Sequence, residues 1–337
     1  MSSITIRDVA NKAKVGLGTV SRVLNNSSSV NPETQERVLK AIEELDFVPN
    51  PIAQSLSRGT TLSVSVVLPF LTFPSFVERL RGVQSVIDST DYDLVLYSAD
   101  DNKRKNHLLQ ILSRKTRNDG ILLISLYPDE QQVEKLKNND VPVVLVDAVH
   151  PDLPSVYVDN KRGGKMATEH LIELGHRQIA FVSDYLVTDF RFTAMQKRFE
   201  GYREALDEAS ISFTPEYHRE VPHDRDAAKH VALDILQLPP RPTAIFASSD
   251  TQAIGVMDAA KELHIRIPED LSLIGFDDVR DSEYVNLTTI KQPLFSSGVT
   301  GSELLLKIIS NEAEENLHII QNLGLVNRGS TAPLHTL

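Results

Sequence analysis

Residues 6–56 read IRDVANKAKVGLGTVSRVLNNSSSVNPETQERVLKAIEELDFVPNPIAQSL, and the organisation of the whole chain can be worked out from there. Between Arg7 and Ala13, Val9, Ala10 and Ala13 fall at helical spacing. After a break, Val20, Val23 and Leu24 share one face between Leu17 and Asn25. A polar loop, NNSSSVN, leads to Asn31-Pro32, where Asn can cap a helix and Pro suits its first position. Val38, Ile42 and Leu45 then make an apolar stripe. Two short helices about a turn apart, with a third packed on them, predict a helix-turn-helix head. Its second helix would enter the major groove of DNA. Leu17, Gly18, Thr19, Ser21 and Arg22 are the candidates to face the duplex. Thr19 and Ser21 can donate to phosphate oxygens, and Arg22 can grip a guanine with two bonds, worth about 1–3 kcal/mol of discrimination. The pattern alone leaves open a small helical bundle with Arg22 simply solvated.

Beyond the head, β-rich apolar runs at 62–68, 94–97, 120–125, 141–146, 178–183, 243–247 and 271–276 alternate with amphipathic stretches such as 161–174, 227–236 and 251–263. Strands buried on both faces by crossover helices have this look. The expected body is therefore α/β, with two doubly wound parallel-sheet subdomains, and ligands in such sheets bind at the carboxyl ends of the strands.

Charge fits that division. The 337 residues carry a net charge of −11, but the first sixty carry seven Lys or Arg against six Asp or Glu. An acidic body with a near-neutral head allows nucleic-acid contact at the head alone. No apolar run approaches the roughly 20 residues of a membrane helix, so no membrane is expected as a partner. Without a secretory signal at the N-terminus a cytoplasmic, nucleoid-associated protein is expected. With no cysteine, thiol nucleophiles, disulfides and cysteine-bound zinc are excluded. G-x-S-x-G, P-loop and H-E-x-x-H motifs are absent, and the ten histidines show no ligand spacing. No catalytic residue, metal or cofactor is expected. Binding, rather than turnover, is the expectation.

The head resembles that of the lactose-repressor (LacI) family of bacterial transcription regulators, through D-V-A-x-x-A, T-V-S-R-V-L-N and I-x-E-L-x-F-x-P-N-x-x-A-x-x-L. The body resembles the family's periplasmic-binding-protein-like domain through VDN (158–160), HLIELGHRQIAFV (170–182), RFEGYREAL (198–206), SSDTQAIGV (248–256), LSLIGFDDV (271–279) and TTIKQP (288–293). The resemblance implies a helix-turn-helix domain at 1–49, a hinge helix and linker at 50–60, and an effector-binding and dimerisation domain at 61–337. In that domain one subdomain takes about 61–158 and 292–322, the other about 159–291 and 323–337. Asn50-Pro51 can start a hinge helix too short to stand alone in water. In the family two such helices lie in the minor groove. Leu56 matches the wedge that kinks the duplex and Ala53 its neighbour, with Arg58 on phosphate. Thr5, Asn25 and Asn50 complete the expected DNA contacts.

Two departures fall in the reading head. Lys14 occupies a place where the family uses a left-handed Gly, and Gly16 replaces the Ser that caps the recognition helix.

In the body, the resemblance makes Arg198 and Asp277 effector contacts. A guanidinium and a carboxylate suit vicinal hydroxyls, with a structural salt bridge across the cleft as the alternative. Ser249 stands where the family often has Asn, Asp147 matches a cleft position, Phe76 could stack on a sugar face, and His223 lies near a position that often carries an aromatic. Phe70 replaces an Asp common in the family. The resemblance thus implies a homodimeric repressor, released from a pseudopalindromic double-stranded operator by a small molecule of sugar type. The alternatives are a nucleobase corepressor or protein partner acting on the same regulator, and, further off, a sugar-binding protein or sugar-modifying enzyme.

Overall fold

The computed structural model describes residues 4–25, 29–48, 59–187, 193–312 and 317–334. They divide into two compact units, Met1–Leu62 with Lys115–Asp119, and Ser63–Arg114 with Gly120–Leu337.

In the first unit α1 (Ile6–Ala13), α2 (Leu17–Leu24) and α3 (Pro32–Glu44) close around Val9, Ala10, Ala13, Val20, Val23, Val38 and Ala41. Asp8 reaches back to the N–H and hydroxyl of Thr5, at 2.8 and 2.7 Å, and so fixes the start of α1. Lys14 ends α1 at φ 52 and ψ 47, so the left-handed geometry is kept although the residue is not glycine. The side chain of Asn31 accepts the Thr34 N–H at 2.9 Å, and Pro32 opens α3. The backbone N–H groups of Thr61 and Leu62 are held by the Asp119 carboxylate. The expected hinge residues Asn50, Ala53, Leu56 and Arg58 lie outside the described residues.

The second unit holds two six-stranded sheets. The first contains β1 (Ser63–Leu68), β2 (Asp93–Ser98), β3 (Gly120–Ile124), β4 (Val143–Val146), β5 (Ser155–Val158) and β11 (His318–Gln321), in the order β11-β5-β4-β3-β1-β2, all parallel. The second contains β6 (Ile179–Ser183), β7 (His218–Glu220), β8 (Ala244–Ala247), β9 (Ser272–Asp277), β10 (Thr288–Lys291) and β12 (Gly324–Val326), in the order β12-β10-β9-β8-β6-β7. Only β12 runs antiparallel. The chain passes between sheets three times: between β5 and β6, between β10 and β11, and between β11 and β12.

The central strands β3, β4, β8 and β9 are buried along their whole length, as expected for strands covered on both faces. Each sheet has helices on its two sides, and apolar clusters fill the layers. Val64, Val66, Leu122, Val144 and Leu305 meet in one layer of the first sheet, and Phe181, Tyr202, Phe246 and Phe276 in one layer of the second.

Three pairs of helices pack almost backbone to backbone, and two of them carry the arginines of the cleft. A methyl added at Gly298, on the helix Leu294–Ile309, would collide with the carbonyl of Arg79 on the helix Pro74–Ile87. One added at Gly164, on the helix Asn160–Glu173, would collide with the carbonyl of Arg198 on the helix Ala194–Glu208. Only glycine permits this approach, and it fixes where both arginines begin.

Candidate functional site

On α2, Val20 and Val23 turn into the core of the head, which leaves Leu17, Gly18 and Arg22 exposed and Thr19, Ser21 and Asn25 half-buried. Leu17 is 44% exposed, a suitable position for touching a thymine methyl. A methyl at Gly18 would lie 3.9 Å from Arg22 Nη2, so the guanidinium folds back along its own helix over Gly18. Gly16 starts α2 with no capping side chain. Thr5 is exposed at the start of α1, its hydroxyl donating to Asp8.

The cleft of the body gathers a second group. A cavity of about 40 Å³ is lined by Phe70, Phe73, Phe76, Arg79, Asp147 and Asp184 together with Arg198, His223, Asp277 and Gln292. Of the expected effector residues, Arg198, Asp277, Asp147, Phe76 and His223 are thus brought together. Ser249 is not: it starts the helix Asp250–Glu262, where its hydroxyl accepts the Gln252 N–H. The preceding residue matters more, since the carbonyl of Ser248 accepts from Arg198 Nη1 at 2.5 Å.

Arg198 is held on several sides. Its Nε donates to Asn160 at 2.9 Å, its guanidinium carbon lies 3.6 Å from the centre of the Phe276 ring, and Nη2 stands 3.8 Å from Asp277. The last distance is an ion pair and too long for a direct hydrogen bond. Burial lowers the Arg198 pKa, and Asp277, Asp147 and Asp184 work against that shift. Burial also raises the pKa of Asp277, against the pull of Arg198 and of the Gln292 side chain, which donates to it at 2.5 Å. Asp277 sits at φ 117, a conformation that costs a non-glycine residue about 1–3 kcal/mol and tends to persist at binding sites.

Behind it, Asp250 is fully buried and takes three bonds, from the Val279 N–H and from the Ser282 and Thr289 hydroxyls. Burial first, and Asp277 second, raise its pKa. Asp250 therefore pins the loop that presents Asp277.

Across the cleft, Arg79 Nη2 lies 3.2 Å from Asp147 and 3.2 Å from the side-chain oxygen of Gln292. Asp147, at φ 59, also accepts the Ser125 hydroxyl at 2.6 Å. At the mouth, Phe70 stacks on Phe73 and Phe73 on His223, with ring centres 4.7 and 4.6 Å apart. Phe73 belongs to the first subdomain and His223 to the second, so this stack spans the cleft. Burial alone would lower the His223 pKa; the Asp184 carboxylate, 2.9 Å away, and Asp277 together outweigh it and the net shift is upward.

Arg79, Asp184, Phe73, Ser125 and Gln292 do not stand out in the sequence. Gln292 lies inside the TTIKQP motif, which is the signal that could have found it. Arg79 lies mid-helix in an otherwise ordinary amphipathic pattern. Among the described residues no group of acidic or histidine side chains could hold a metal ion, and no helix is long and apolar enough to cross a membrane.

Residues 5–50 match the family described as bacterial regulatory proteins, lacI family, and residues 168–331 match the periplasmic binding protein-like domain. Catabolite control protein A of Priestia megaterium is 34% identical over 93% of this chain and 95% of its own length. The ribose operon repressor of Halalkalibacterium halodurans is 35% identical over 91% of each. The transcriptional repressor PurR of Vibrio vulnificus is 35% identical over 92% of this chain and 93% of its own. Among solved structures, the Lac repressor dimer bound to operator and the anti-inducer ONPF aligns with a TM-score of 0.84, at 28% identity over 98% of this chain and all of that one. The regulator CelR in complex with cellobiose aligns with a TM-score of 0.71, at 30% identity over 97% and 99%. The helical head, the paired parallel-sheet subdomains that follow it in the chain and relatives of matching length that are themselves repressors agree, and the chain belongs to the lacI family of bacterial regulatory proteins, as a DNA-binding transcription regulator and not an enzyme.

Proposed function

We propose that the protein is a homodimeric repressor whose hold on its operator is released by a small molecule of sugar type bound in the body cleft. The observation that carries this reading is the buried pair Arg198 and Asp277, held in place by Asn160, Ser248, Gln292 and Phe276 rather than by each other. A guanidinium that donates and a carboxylate that accepts suit hydroxyl groups, which do both. That CelR holds cellobiose and that a family member from Enterococcus faecium holds ribose supports a sugar here. Asp147, Phe76 and His223 line the same cavity and complete the effector contacts. On the DNA side, Arg22, Leu17 and Gly18 would read bases, while Thr5, Thr19, Ser21 and Asn25 would hold the backbone. A two-fold dimer reads two half-sites, and the hinge residues Ala53 and Leu56 would bend the centre. The protein would work in the cytoplasm, on the nucleoid.

A cavity of about 40 Å³ has room for a few water molecules at about 10–15 Å³ each, fewer atoms than a monosaccharide has. A sugar enters only when the subdomains part or the Phe70–Phe73–His223 stack opens. The ligand then favours a state other than the closed one, and a difference in affinity between two states is what release from DNA requires.

The Phe73–His223 stack supports a second reading, in which the two rings part and offer their flat faces to a planar nucleobase corepressor. The test is operator affinity measured with and without D-ribose, D-glucose, cellobiose, adenine and hypoxanthine. A sugar that weakens operator binding, and no longer does so in Arg198→Ala and Asp277→Ala, is the expected result. A base that strengthens operator binding would replace the sugar reading with the corepressor one.

A further inference from the structure

The five strands β10-β9-β8-β6-β7 repeat the order β5-β4-β3-β1-β2 advanced by five. Corresponding positions therefore meet at the cleft. The first helix of each half carries a buried arginine, Arg79 in one and Arg198 in the other, each 3% exposed. The fourth strand of each half delivers an aspartate at positive φ, Asp147 after β4 and Asp277 at the end of β9. Each aspartate faces its own arginine, at 3.2 and 3.8 Å. The carbonyl of each arginine is also packed against a glycine of the helix that follows the fifth strand, Gly298 for Arg79 and Gly164 for Arg198.

Building on the sugar-effector reading, we propose that Arg79 and Asp147 form a second hydroxyl clamp, the counterpart of Arg198 and Asp277. The effector is then a neutral polyol that presents hydroxyl groups to both subdomains. Arg79 Nε is buried without an acceptor in the protein, and the other contacts of its guanidinium are long, at 3.2 to 3.4 Å. A ligand hydroxyl would satisfy it. Arg79 and Arg198 set against Asp147 and Asp277, with His223 paired to Asp184, leave no surplus positive charge for an anionic ligand to answer, and a phosphate or carboxylate would lie beside three carboxylates. Gln292 joins the clamps, accepting from Arg79 and donating to Asp277, at the point where the chain returns to the first subdomain. Arg79 is thereby a specificity-determining residue.

The full-length protein and its Arg79→Met, Arg79→Gln and Arg198→Met variants would be titrated calorimetrically with D-ribose, D-glucose, D-galactose, cellobiose, D-glucose 6-phosphate, D-glucuronate and adenine. A cooperative melt of the body without ligand qualifies each variant as folded. The expected result is that a neutral sugar binds. Its affinity should fall by about 10- to 100-fold in both Met variants, the size of a lost charged hydrogen bond, and by less in Arg79→Gln, which keeps N–H donors. Unchanged affinity in Arg79→Met, with a loss in Arg198→Met, would overturn the second clamp and leave the sugar reading standing. A preference for the phosphate or the uronate that vanishes in Arg79→Met would overturn the neutral-polyol assignment. Binding of adenine alone, or of nothing in the set, would overturn the sugar reading and this inference with it.

Discussion

Replacing Gly298 with alanine tests how closely the helix bearing Arg79 is held. Inside a helix, Gly→Ala ordinarily stabilises by about 1 kcal/mol, because alanine loses less backbone entropy on folding. At Gly298 the new methyl would overlap the Arg79 carbonyl and come within 2.9 Å of the Val83 nitrogen. Both are backbone atoms and cannot swing aside, so the helix Pro74–Ile87 must shift bodily. Overpacking of that kind costs about 1–3 kcal/mol, occasionally more. The net expectation is a loss of up to about 2 kcal/mol, and a body of this size should melt up to about 8 °C lower. Because the shift displaces the root of Arg79, effector affinity should fall as well. The assay is differential scanning calorimetry with and without the effector. Gly18→Ala in α2 is the reference, since its methyl meets nothing nearer than 3.9 Å and should stabilise the head by up to about 1 kcal/mol. A Gly298→Ala protein that melts higher than its parent would refute the reasoning.

Two further outcomes rest on local geometry. Lys14→Gly should stabilise the head by about 0.5–1 kcal/mol, because a side chain at φ 52 carries a steric cost that glycine escapes, partly offset by the looser unfolded chain. Resistance of the head to limited proteolysis would report it, and a more readily cleaved head would count against the steric account. His170 and His176 are buried against Thr331, Thr243, Ser272 and the Ala332 carbonyl, and burial holds both pKa values below the ordinary 6.5. As pH falls, the unfolded chain binds protons first. Their contribution to stability is therefore complete above about 6.5 and declines as pH drops from there towards the folded values. His223, shifted upward, contributes in the opposite sense. Urea melts from about pH 5 to pH 8 should show a loss on the acid side that shrinks in His176→Gln. An unchanged slope would exclude His176 as its source.

The parts of the fold legible in the sequence are those whose burial is uniform. The runs that become β3, β4, β8 and β9 are continuous apolar stretches because both faces are covered. The four-residue β5, together with β7, β11 and β12, cannot be read that way. They are three or four residues long, and all but β5 lie at a sheet edge with mixed exposure, where neither alternation nor a run can be seen. The three head helices are readable from caps and spacing, Asn31-Pro32 most clearly. In the cleft, Arg198 and Asp277 stand out through their motifs. Arg79 does not, because a buried arginine on an amphipathic helix looks like an exposed one until the partner strands are in place. Ser249 shows the converse: a serine before a helix is first of all a cap, and its hydroxyl is used for that here.

The order of strands along the chain also sets when the body can close during synthesis. The first sheet is begun at Ser63 and is not finished until β11, at His318–Gln321, and the helix that shelters Arg79 is made only shortly before that. At roughly 5–20 residues per second of synthesis, the interval between β5 and β11 lasts on the order of 10–30 s. Throughout it the first half waits without its last helix and its edge strand. A transcript cut short anywhere before residue 294 therefore yields a reading head attached to a body that cannot close. Such a fragment should be cleared as an unfolded chain before it can occupy an operator with no means of being released.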